Sequence, residues 1–212
     1  MHRFRSDALA AARETWPVAA TQQVSEDELD QLADDATDAV IDSRKSGLRL
    51  LFNRIESPTP IVEWEPGPEI LEPHLRLEFL QRYWSDRHRD HRLPLSTTID
   101  PIELQPALGF IMLLEPIRGG DDFLYRVYGT AIAQQSGLEM TGKRVRDVPI
   151  PLVAVYFLAT YRAVTFVRRP LFTHHATHHS IQVAQWDRLI LPFVDEAGEV
   201  DRLLVGNVPS FR

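Results

Sequence analysis

The amino-acid sequence predicts an α+β fold: an N-terminal helical extension followed by a sheet region with helices inserted in its middle. Three observations carry this. Helical spacing dominates before residue 92. Two strand-like runs joined by a glycine turn follow at 110–129. A long apolar helical run at 150–167 then separates them from three β-rich runs that fill the last third. Strands and helices grouped apart are the pattern of α+β domains.

The opening helix is written in "SEDELDQLADDATDAVIDSRKSG". Ser25 with Glu28 three residues on is a capping box. Leu29, Leu32, Ala33, Ala36 and Val40 follow helical spacing. Acidic residues crowd its start, Arg44 and Lys45 suit its end, and Gly47 suits its C-cap. "LRLLFNRI" (48–55) is compatible with a second short helix or a strand. Residues 1–56 form the predicted extension, and its acidic helix reads as a solvated face.

Residues 57–73 carry all five prolines of "ESPTPIVEWEPGPEILEP" and read as an extended linker lying on a domain surface, with Trp64 docked. The predicted domain runs from 74 to 212. It opens with an amphipathic flanking helix (74–91) that carries Leu77, Leu80 and Trp84 on one face. That face suits a homodimer, or cover for the protein's own sheet. Asp100 and Pro101 mark a short helix or turn.

"FIMLLEPI" (110–117) is a buried strand, "RGGDD" a hairpin turn, and "FLYRVYG" (123–129) a second strand. Strict alternation puts Phe123, Tyr125 and Val127 on one face and Leu124, Arg126 and Tyr128 on the other. Thr130 caps a short helix that stops at Gly137, and 141–148 forms a helical turn. "IPLVAVYFLATYRAVTFV" (150–167) has Arg162 as its one charge. A spanning helix needs about 20 apolar residues, and a central Arg is costly there. A buried helix is the expectation, with no membrane span.

The sequence has 212 residues, 44% of them apolar, with 23 Lys and Arg against 30 Asp and Glu, a net charge of −7. An acidic chain makes a nucleic-acid partner unexpected, because phosphate neutralisation needs a basic face. There is no cysteine. Disulfides, thiolate chemistry and Cys-anchored chromophores are excluded, and a reducing cytoplasm is the expected setting. The N-terminus also lacks the apolar run of a secretory signal. No nucleophile elbow, phosphate loop or dinucleotide turn is present.

"HHATHH" (174–179) holds half of the eight histidines. As a helix it would pair His174 with His178 and His175 with His179 at the spacing zinc favours. As a strand, His174 and His178 stand about 13 Å apart. The flanking "LFT" and "SIQVAQW" favour strand. A metal site at His174 and His178 is thus not the expected reading, though a metal-dependent enzyme built on 174–179 stays an alternative.

Several phrases, in order and spacing, resemble the PAS domain, and in particular one bacterial PAS subfamily. They are "YW" (83–84), "LP" (93–94), "IDPIELQPALGFIMLLE" (99–115), "FLYRVYGTAIAQQSGLEMTGK" (123–143) and "WDRLILPFVDEAGEVDRLLVG" (186–206). The resemblance implies a five-stranded antiparallel sheet with a helical bracket between its second and third strands, the core at about 99–208. It implies a non-catalytic sensory or regulatory module that binds a small molecule or a protein partner and signals by changing a protein contact. A ligand-free adaptor is the further alternative. The cysteine-adduct flavin type is excluded, and haem is not expected because 150–167 contains no histidine. A non-covalent apolar or aromatic ligand would lie between sheet and bracket. Tyr125, Arg126, Tyr128, Tyr156 and Trp186 are the candidate ligand-binding residues. Arg126 would need a ligand carboxylate or an aspartate such as Asp187 as its partner.

Overall fold

The computed structural model describes residues 24–88, 92–176 and 183–211. Helix α1 spans Glu26–Ile41, and Ser25 caps it by accepting the Glu28 amide at 3.2 Å. The Glu28 carboxylate does not close the capping box; it pairs with Arg54 at 2.8 Å. α1 ends before Arg44, Lys45 and Gly47, so these do not form its C-terminus. Gly47 instead lies in helix α2 (Lys45–Arg54), which settles 48–54 as helix with Ile55 at the C-cap. A Cβ there would stand 2.5 Å from that of Ala39, so glycine lets α1 and α2 meet.

The proline-rich segment is more than a linker. It holds strand β1 (Ile61–Trp64) and a single helical turn, α3 (Pro68–Leu71). Trp64 docks as expected, its indole N–H donating to the Val40 carbonyl at 3.1 Å. β1 is an edge strand with one neighbour, a place where flanking prolines lose few ladder hydrogen bonds.

Helix α4 (Leu75–Ser85) follows. Then come β2 (Ile111–Ile117), β3 (Asp122–Tyr128), helix α5 (Thr130–Ser136) and helix α6 (Pro151–Val167). β4 (Leu171–Ala176), β5 (Val183–Val194) and β6 (Val200–Phe211) end the fold. The N-cap of α5 is Gly129, with Thr130 its first helical residue. The strands form one antiparallel sheet in the order β1-β4-β5-β6-β2-β3. The expected five strands are all present, and β1 pairing with β4 adds a sixth.

The sheet is covered on both faces. On one lies α6, with Leu152, Val155, Leu158, Ala159 and Ala163 buried. α1 packs on its far side through Ala33, Ala36, Ala39 and Val40. A helix apolar nearly all round is thus buried between sheet and extension. Among the described residues no helix is long and apolar enough to cross a membrane. Arg162 reaches out of this helix to Asp34 of α1 at 2.9 Å and to Asp121, and Arg146 pairs with Asp30 of α1. Part of the acidic face of α1 therefore clamps the extension to the domain.

On the other face, Leu77 and Leu80 of α4 pack with Phe172, Leu189, Leu191, Phe193 and Leu204. A Cβ on Gly206 would meet both leucines at 2.6 Å, so the bare backbone of β6 admits the helix. The apolar side of α4 covers its own sheet, the second of its two predicted uses. Tyr83 and Trp84 finish the closure. Trp84 donates to the Pro192 carbonyl at 2.7 Å. The Tyr83 hydroxyl donates to Thr98 O and accepts from the Asp100 amide.

Candidate functional site

The strand register decides which side chains face the interior. Leu113 pairs with Val127, but Leu114 pairs with Tyr125, so Arg126 is the extra residue of a β-bulge. The predicted alternation fails there. Tyr125 and Tyr128 face the same side, their rings edge to face at 5.4 Å, and Val127 is exposed. Arg126 points to solvent and pairs with Glu115, not with Asp187 and not toward a ligand space. That pairing holds the Glu115 carboxyl below its usual range.

Between sheet, α5 and α6 lies a cavity of about 180 Å³. Tyr125 and Tyr128 of β3, Tyr156 of α6 and Trp186 of β5 all line it. Four of the five predicted residues thus share one chamber. Met112, Ile132, Val153 and Phe157 add apolar wall. Phe52, Ile55 and Ser57, from α2 and the residues after it, also contribute. Phe52 meets Tyr156 edge to face at 4.9 Å. The N-terminal extension is therefore part of the chamber wall. Burial pushes the Tyr128 and Tyr156 hydroxyls up to about 12, so both stay protonated.

Two ionisable residues that sequence reasoning did not place at the ligand site also line the cavity. Arg188 of β5 is only 3% exposed. Its guanidinium lies 4.2 Å from the ring centroid of Phe157 and 5.9 Å from that of Tyr161. Nε donates to Asn207 Oδ1 at a long 3.4 Å, and Nη1 is buried with no hydrogen-bond partner among the described residues. His175 of β4 is buried beside Tyr156 and Phe157, and its Nδ1 also has no partner among the described residues. Burial holds its imidazole well below the usual range, and the charge of Arg188 adds to this. The signal for Arg188 was a charge inside the apolar run "WDRLILPF". Arg126 carried the same signal in a strand whose outer side is wet.

The histidine cluster divides between the two faces. His174 is a strand residue, as expected, and its Nδ1 lies 2.6 Å from Asp187 Oδ1. Oδ2 of Asp187 accepts from Ser210 at 3.1 Å and lies 3.4 Å from His74 Nε2. His178 and His179 lie outside the described residues. Among the described residues no group of three or more His, Asp or Glu side chains is arranged to hold a metal ion.

Comparison with solved structures finds similarity to a chain described as "Structure of an RNA-binding Light-Oxygen-Voltage Receptor". The identity is 12% and the TM-score 0.40. The match covers 97% of this chain and 59% of that one, so this chain spans less than two thirds of its length. No curated protein matches the sequence. The family described as PAS domain matches residues 73–207, well over half of the sequence and the whole of the sheet except β1 and the end of β6. The chain belongs to the PAS domain family.

Proposed function

We propose that this protein is a non-catalytic sensory module that takes a small, mainly apolar or aromatic molecule into its cavity and reports occupancy through a protein contact. The observation that carries the proposal is the wall of the chamber. It is built from aromatic side chains of the sheet and α6, and it is completed by Phe52 and Ile55 of the extension. Pockets of this kind, apolar with a few polar groups, suit small-molecule binding. A ligand that presses on Phe52 presses on α2, which packs on α1. Occupancy can so reach the outer surface of the extension, where a protein partner would read it. The setting is the cytoplasm, in keeping with a sequence free of cysteine.

Native mass spectrometry of the full chain with small aromatic compounds such as indole tests this. One-to-one complexes and a raised Tm are expected, and Ile132→Trp, which fills the chamber, should abolish both. No complex and no shift with any compound would overturn the ligand-binding role.

A further inference from the structure

Asp187 and Arg188 are neighbours in sequence but belong to different faces of the sheet. Asp187 pairs with His174 and Ser210 on the α4 side. It is thus turned away from Arg188, and among the described residues no carboxylate pairs with the guanidinium. A buried charge without a counter-ion is costly. Two aromatic faces and one long contact to an amide oxygen compensate a guanidinium only in part. The planar fork of an arginine matches a carboxylate with two parallel N–H···O bonds.

We infer that the cavity binds a small monocarboxylate with an apolar or aromatic body, its carboxylate paired with Arg188, an inference that rests on the cavity being a ligand site. The rest of the chamber suits the body of such an acid: Met112, Ile132, Val153, Tyr125 and Trp186 form its walls. A single negative charge is specified because, among the described residues, Arg188 is the one arginine or lysine that lines the cavity. His175 adds no second cation, since burial keeps its ring neutral at physiological pH. A phosphate-like dianion would leave one charge uncompensated in an apolar chamber. His175 Nδ1, buried and unpartnered, is a second polar atom in the wall.

Calorimetric titration of the full chain with phenylacetate and the neutral near-isostere phenylacetamide tests this. The acid should bind roughly tenfold or more tightly than the amide, the scale of a charge-assisted hydrogen bond. Arg188→Met should abolish the preference, and Arg188→Lys should keep part of it. Comparing the two probes on the unaltered protein needs no variant to fold. If the amide binds as tightly as the acid, or the preference survives in a folded Arg188→Met protein, the carboxylate anchor is overturned and the cavity stays a ligand site. If neither probe binds the unaltered protein while indole does, the carboxylate reading alone falls; if indole also fails to bind, both readings fall.

Discussion

One face of the sheet is closed by packing and pairs its buried charge; the other holds a cavity, and among the described residues its buried arginine has no carboxylate partner. On the α4 side, leucines from helix and sheet interdigitate over Gly206. The buried charge there, Asp187, has three polar partners. On the α6 side, the aromatic layer leaves a cavity, and Arg188 and His175 keep buried polar atoms without partners. Close packing and paired polar groups contribute stability. A void lined by unpaired polar groups detracts from it and is retained where something else occupies the space. On the proposed reading, one face supplies stability and the other recognition.

Truncation on the closed face should have the largest effect. Leu80→Ala should cost about 3 kcal/mol in urea denaturation and leave the affinity for aromatic probes unchanged. A loss of affinity on the same scale as the loss of stability would break the division between faces.

The adjacent pair on β5 sharpens it. Asp187→Ala should cost about 2 kcal/mol, because it strips an accepting carboxylate from its buried partners. Arg188→Met should raise the stability of the ligand-free protein by about 1 kcal/mol, because an apolar side chain replaces an uncompensated charge. Two destabilisations of equal size would mean that Arg188 is already satisfied.

The smallest effect at neutral pH concerns His175. Unfolded, it takes up a proton near pH 6.5; folded, burial moves that uptake well lower. Between these limits the unfolded chain binds more protons, so its contribution to stability is fully present above about pH 6.5 and declines as pH falls below it. The slope can reach about 1.4 kcal/mol per pH unit. Denaturation of His175→Phe from pH 7 to 5 should lack this component; an unchanged profile would show that His175 does not titrate as a buried neutral ring.

Much of the architecture was legible before the structure, and the reason is local. The apolar run at 150–167, the glycine turn at 119–120 and the β-rich last third each declare their element within a few residues. The motifs "YW" and "LLVG" have direct physical roles, as Tyr83 and Trp84 anchor α4 and Gly206 admits it. The sixth strand was hidden because prolines around "IVEW" weaken any local strand signal, while β4 supplies the partner from more than a hundred residues away. The early end of α1 was hidden as well, because Gly47 serves a contact with Ala39 rather than a cap.

By itself, the sequence determined the order of helices and strands, the absence of cysteine chemistry and the aromatic character of the chamber. Those properties depend on residue type and short-range spacing. Only the tertiary structure decided which arginine is buried. A one-residue bulge turns Arg126 outward to Glu115, and coverage of both sheet faces encloses Arg188, which has no carboxylate partner among the described residues. Burial of a given side chain depends on strand register and on what packs above the sheet, and both are set by distant parts of the chain.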